Sequence, residues 1–97
     1  MLIRIVKMTF VSGKSGEFMD IIHASKEKIR SFDGCLHLEL LNDIQHPNTF
    51  FTLSRWRSEI HLENYRNSEL FKNVWNRVKV LFAEKPEAWS LLKKEEV

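Results

Sequence analysis

Cysteine, proline and glycine are scarce in this 97-residue chain, which has one Cys, two Pro and three Gly. So few breakers argue against a disordered or linker-rich polypeptide, and 43% hydrophobic with 29% charged residues fits one compact soluble domain over residues 1–97. A lone cysteine, Cys35, excludes an intramolecular disulfide framework, and a reducing cytoplasm fits best. Long apolar runs are also missing. No stretch approaches the roughly eighteen residues that span a bilayer, and Arg4 and Lys7 interrupt the N-terminal apolar segment before it reads as a signal peptide. Charge of one sign is not in excess either: fifteen Lys and Arg against thirteen Asp and Glu leave +2, spread along the chain, so nucleic acid is not implied.

What is present is apolar residues in strong periodic patterns. LIRIVKMTFV (2–11) is rich in β-branched and apolar residues and ends at Ser12 and Gly13, as a strand followed by a turn would. From Ser15, read as an N-cap, Phe18, Ile21, Ile22, Ser25, Ile29 and Phe32 recur at helical spacing, and Asp33 and Gly34 close that helix. CLHLELLND (35–43) and TFFTLSRWR (49–57) flank the turn QHPN and predict a hairpin. Ser58 caps a short helix, EIHLENYR. Ser68 caps a longer one whose stripe runs through Phe71, Val74, Trp75, Val78, Leu81 and Phe82 until Pro86 stops it. AWSLL (88–92) predicts a closing strand.

The order is βαββαβ with the second helical region split in two, an α+β ferredoxin-like pattern without repeats or linkers. Helices would cover one sheet face, and a monomer should leave the other face polar. The alternation says otherwise. Strand one divides into Ile3, Ile5, Lys7 and Thr9 against Arg4, Val6, Met8 and Phe10, and strand three into Phe51 and Leu53 against Phe50, Thr52 and Trp56. Strand two divides into Leu36, Leu38 and Leu40 against Cys35, His37, Glu39 and Leu41. Apolar groups on both faces predict a homodimer in which two sheets meet as a dimeric α+β barrel. A chain this short buries only about 60 to 65% of its unfolded surface, so association would also add stability.

Residues 33–72, DGCLHLELLNDIQHPNTFFTLSRWRSEIHLENYRNSELFK, carry a Gly-Cys turn into strand two, a short hairpin and an aromatic strand ending in Trp and a charge. A helix-turn-helix with a Ser-x-x-Phe step follows. In these features the chain resembles the antibiotic biosynthesis monooxygenase domain, over nearly its whole length. The resemblance implies a dimeric barrel with a small pocket between sheet and helices in each protomer. It also implies oxidation of quinols or polyketide-derived phenols by O2, often without metal or flavin; other members degrade haem or isomerise their substrates. Haem-degrading members resemble one another in an Asn, a Trp and an iron-ligating His whose positions fall here at Val6, Tyr65 and Trp75. None is kept, and an indole N–H has no lone pair to give iron, which disfavours haem degradation. Many other members have a His where this chain has Tyr65.

Tyr65 is the leading catalytic candidate, because a phenol can donate to a substrate oxygen or developing oxyanion; it is equally a ring packed in the core with a wet hydroxyl. Trp75 and Phe71 could wall a substrate pocket, although both also belong to the core stripe. Trp56 reads chiefly as a packing residue with a secondary binding role. His37 and Glu39 lie two apart on one strand, about 7 Å along the backbone. His37 could act as a general base for a phenolic proton with Glu39 in the binding site, or the two could be a polar pair at the dimer interface.

No metal or organic cofactor is expected, since His23, His46 and His61 fit no i, i+4 pairing and look like surface or loop residues. Cys35 reads as a small buried hydrophobe, GKSG (13–16) as a turn and cap, and Arg55 and Arg57 as ordinary strand-end charges. The expected function is a cofactor-independent monooxygenase acting on a small aromatic, quinol-type substrate, with a non-catalytic dimeric small-molecule-binding domain as the alternative.

Overall fold

The computed structural model describes residues 1–97. Strand β1 (Leu2–Thr9) is followed by helix α1 (Ser15–Arg30), strands β2 (Cys35–Asn42) and β3 (Thr49–Trp56), helices α2 (Glu59–Arg66) and α3 (Glu69–Val78), a 3-10 turn (Lys79–Leu81) and strand β4 (Glu87–Leu92). The four strands form one antiparallel sheet in the order β2-β3-β1-β4, so β1 and β3 are central. This is the α+β ferredoxin-like arrangement.

Local chemistry accounts for the boundaries. Gly13 takes a positive φ of 85° and lets the chain reverse into α1. Lys14, not Ser15, occupies the N-cap, with no side-chain hydrogen bond to the helix. Ser58 and Ser68 cap as expected, their hydroxyls accepting from the His61 and Phe71 backbone N–H groups. The final helical stripe is interrupted: α3 ends at Val78, and the 3-10 turn carries Leu81 inward before Phe10 and Phe82 form an isolated bridge.

The helices pack on one sheet face. There Phe10 stacks on Phe18 with centroids 4.3 Å apart, and Met8, Ile21, Phe50, Val78 and Leu81 complete the main core. A second cluster joins Leu2, Cys35, Trp56 and Leu62 beneath Phe32 and Tyr65. Cross-strand register confirms the division of β1 and β3, since Arg4 lies opposite Ser54 and Val6 opposite Thr52, while Ile5 lies opposite Leu53.

Strand two departs from simple alternation. Its register shifts between Cys35 and His37, where a bulge absorbs Leu36. Cys35 therefore joins the helix-side cluster with Leu38 and Leu40 on its side of the sheet, whereas His37, Glu39 and Leu41 line the opposite face. The expectation that Cys35 shares a face with His37 is corrected by that one extra residue.

The opposite face is apolar and uncovered in one chain. Ile3, Ile5, Phe51 and Leu53 are half-buried along its centre, and Leu41, Trp89 and Leu91 are exposed toward its edges. Arg55 lies at the end of β3, as expected, beside His37 and Ile3 on this face, and its Nε is buried without a partner. No helix is long and apolar enough to cross a membrane.

Candidate functional site

Between the sheet and the helices lies a cavity of about 470 Å³. Its floor is formed by the helix-facing residues of three strands, Val6 and Met8 of β1, Leu38 and Leu40 of β2, and Thr52 and Ser54 of β3. Its roof comes from all three helices: Phe18 and Ile22 from α1, Leu62 and Tyr65 from α2, and Phe71, Val74 and Trp75 from α3. The volume is that of a small-ligand pocket.

An unbroken series of aromatic contacts runs along one side. Trp56 stacks on Tyr65 at 5.0 Å, Tyr65 meets Phe71 edge-on at 5.2 Å, Phe71 lies nearly parallel to Trp75 at 5.7 Å, and Trp75 meets Phe82 at 5.5 Å. Helical spacing explains the middle of this wall, because Phe71 and Trp75 are four residues apart on one face of α3. The α2–α3 corner explains the rest: Ser68 Oγ donates to the Tyr65 carbonyl at 2.6 Å and accepts from the Phe71 N–H, locking the turn that brings those two rings together.

The polar groups of the wall differ in availability. Trp56 is 1% exposed and its Nε1–H donates to Ser54 Oγ at 2.9 Å, so its ring is floor and its donor is used. The Tyr65 hydroxyl makes no hydrogen bond within the chain. Arg55 Nε is the only fully buried side-chain nitrogen or oxygen without a partner, so the Tyr65 hydroxyl is not sealed off, and Tyr65 is one of the residues lining the cavity. Burial pushes the Tyr65 phenol well above its ordinary range, with a smaller contribution from Cys35, so it is a neutral donor at physiological pH. The Cys35 thiol is also raised by burial, which leaves it a packing residue.

Tyr65, Trp75, Phe71 and Trp56 therefore meet around one cavity, and Glu39 borders it. His37 does not. It lies on the opposite face of the sheet, outside the cavity lining, where its Nε2 sits 3.6 Å from Glu39 Oε2 with both side chains half-exposed. A base role for His37 toward a ligand beside Tyr65 does not fit this placement, and a sheet thickness separates the two because the bulge at Leu36 sets the direction of every later side chain in β2. Glu39 shares that open-face register, opposite Leu53. His61 is not a loose surface residue either: its Nδ1 lies 2.7 Å from Ser58 Oγ, and its ring covers Gly34. No three His, Cys, Asp or Glu side chains gather where they could share a metal ion.

Arg4, Arg66, His23 and Lys26 also line the cavity. None of them carries a site role in the sequence, and His23, expected at the surface or in a loop, lies in α1 and borders the cavity. Arg4 had a usable signal, as the one charge in the helix-facing set Arg4, Val6, Met8 and Phe10. Arg66 had none, because it ends a short helix among other charges.

The sequence profile of the antibiotic biosynthesis monooxygenase family matches residues 1–77. Among solved structures, a conserved protein from Methanosarcina mazei Go1 superposes with a TM-score of 0.90 at 23% identity, over 97% of this chain and 94% of that one. A structure described as an antibiotic biosynthesis monooxygenase gives 0.92 at 17% identity, over 98% and 100%. Rv0793 from Mycobacterium tuberculosis gives 0.89 at 20% identity, over 98% and 96%. No match is found among curated proteins. At these identities the structural likenesses establish the fold alone. The family match covers well over half of the residues, including strands β1 to β3 and the α2–α3 corner that builds the aromatic wall, and the chain belongs to the antibiotic biosynthesis monooxygenase family.

Proposed function

We propose that residues 1–97 act as one cytoplasmic monooxygenase domain that oxidises a small, electron-rich aromatic substrate of the quinol or phenol type without a bound organic cofactor. The observation that carries this reading is Tyr65, whose hydroxyl is unpaired within the chain and which lines an aromatic-walled cavity. Phe71 and Trp75 would hold a flat ring, and Trp56 would fix the ring of Tyr65 from below. An electron-rich phenol can reduce O2 directly. One oxygen atom enters the ring carbon to give a quinone, the other leaves as water, and the substrate supplies all the electrons. Tyr65 would donate its hydrogen bond to the substrate oxygen as charge develops there. His37 has no part in this proposal because it lies on the other sheet face.

We further propose a homodimer formed through the open face. The two central strands present Ile3, Ile5, Phe51 and Leu53 there, and a two-fold axis through these strands would bury the same patch of both copies.

Oxygen uptake with a panel of naphthohydroquinones and phenols tests the reaction. Turnover is expected with at least one of them, and Tyr65→Phe is expected to lower kcat/KM by about a hundredfold to a thousandfold, as for loss of one oxyanion donor. Binding without any oxygen consumption would overturn the enzymatic reading in favour of a non-catalytic ligand-binding domain. Unchanged kcat/KM in Tyr65→Phe would remove Tyr65 from the mechanism.

A further inference from the structure

The charge around the cavity is unevenly placed. Arg4 stands on a central strand, facing the helices, and lines the cavity. Its Nη1 donates to Ser90 Oγ on β4 at 3.0 Å, a neutral partner, and no carboxylate lies within 4.0 Å of it. Arg66, at the last residue of α2, lines the same cavity; its only ion pair is with Glu63 at 3.6 Å, between side chains that are half or more exposed. The two acidic residues that border the cavity are turned away. Glu39 lies opposite Leu53 and Glu87 opposite Lys7, both register positions of the open face. Arg4 thus has no ion-pair partner of its own, while the charge of Arg66 is already met by Glu63.

We infer that the ligand of this cavity is an aromatic carboxylate, its ring against Phe71 and Trp75 and its carboxylate paired with Arg4. The inference rests on the cavity being the substrate site. Three arguments support it. A planar guanidinium held by one neutral hydrogen bond keeps further N–H donors free, in the fork geometry that suits a carboxylate. Burial and the neighbouring Arg66 both hold the Arg4 pKa below its ordinary value, with Glu63 opposing weakly, so an anion placed beside Arg4 would relieve a repulsion already present. A lining that is mostly aromatic and aliphatic with a few convergent polar groups also favours a ligand of matching halves, a flat apolar body with one charged end.

Calorimetric titration of the full chain with 2-naphthoate and with 2-naphthamide, which differ only in the charged end, tests this. Naphthoate is expected to bind about tenfold to a hundredfold more tightly, the range for a charge-assisted hydrogen-bonded pair. Raising salt should weaken the acid and leave the amide unchanged. Arg4→Gln should abolish the difference while retaining amide binding. Equal binding of acid and amide by the unaltered protein would overturn the inference and leave the cavity as an aromatic site. Binding of neither would overturn it together with the reading on which it rests. Should Arg4→Gln fail to fold, Arg66→Gln decides the assignment: a retained preference for the acid supports Arg4, and a lost preference moves the carboxylate to Arg66 and overturns it.

Discussion

The ring of Tyr65 lies on the indole of Trp56 with centroids 5.0 Å apart and planes 26° from parallel. Trp56 cannot shift, since it is buried and its N–H is tied to Ser54. Phe32 and Phe71 meet the same phenol ring edge-on, at 5.4 and 5.2 Å. Three aromatic side chains from different parts of the fold thus set where the hydroxyl stands before any ligand arrives. Such support is what a directional hydrogen-bond donor requires.

The same burial predicts an alkaline limit to stability. The Tyr65 pKa is raised in the folded chain from an ordinary 10.0, and the Cys35 pKa from an ordinary 9.0, both chiefly by desolvation. Above those ordinary values the unfolded chain loses protons that the folded chain keeps, so the unfolded state binds fewer protons and stability falls as pH rises. Thermal unfolding followed by circular dichroism should show no contribution from these groups below about pH 8, and a decline in Tm from about pH 9 upward. Tyr65→Phe should lessen the decline above about pH 10; an identical slope in the two proteins would contradict the burial of the phenol.

Gly34 and Gly13 form a matched pair. Both have positive φ, 87° and 85°. A methyl group at Gly13 meets nothing, whereas at Gly34 it runs into the ring of His61, which Ser58 holds in place. Gly13→Ala should cost about 1 kcal/mol for the left-handed backbone alone. Gly34→Ala should cost roughly 2 to 4 kcal/mol, because overpacking adds to that term. Chemical denaturation of both variants measures the difference, and equal losses would show that the His61 contact yields freely.

The open sheet face predicts a change of mass. Leu53 is central to it, between Ile5 of β1 and Glu39 of β2. Leu53→Glu should halve the molar mass found by light scattering while leaving the far-ultraviolet spectrum intact, because the side chain does not contribute to the helix-side core. A monomer in the unaltered protein at micromolar concentration would remove the proposed dimer.

Cys35 should resist alkylation. Its side chain is 6% exposed, burial raises its pKa, and its sulfur lies 3.7 Å from the His37 carbonyl oxygen. Iodoacetamide at neutral pH is expected to label the denatured chain and spare the folded one, read by mass spectrometry.

Much of this architecture was legible in the residues. The periods of 2 and 3.6 placed all four strands and the three helices, and the serines at 58 and 68 marked helix starts correctly because their hydroxyls accept the first free N–H groups. The grouping of Tyr65, Phe71, Trp75 and Trp56 was also visible, although apolar patterning does not distinguish a wall from a core when one aromatic wall serves as both. The failures have specific causes. His37 and Cys35 were assigned to one face because alternation assumes an unbroken ladder, and no residue type announces a bulge at Leu36. Arg66 reaches the cavity through the way α2 lies over the sheet, which is a tertiary relationship invisible to local spacing.

Strand β4 has a consequence of its own. All six of its residues, Glu87–Leu92, are exposed, and its ladder to β1 is its principal attachment. It lies at the sheet edge and carries Ser90, the residue that steadies the guanidinium of Arg4. With so little burial to oppose its detachment, β4 should exchange its amide hydrogens for deuterium well before β1 and β3 do. Each such opening would release Arg4 from its neutral partner. Occupancy of the cavity and attachment of the last strand would then be linked quantities, and slower exchange in β4 on adding ligand would report the linkage directly.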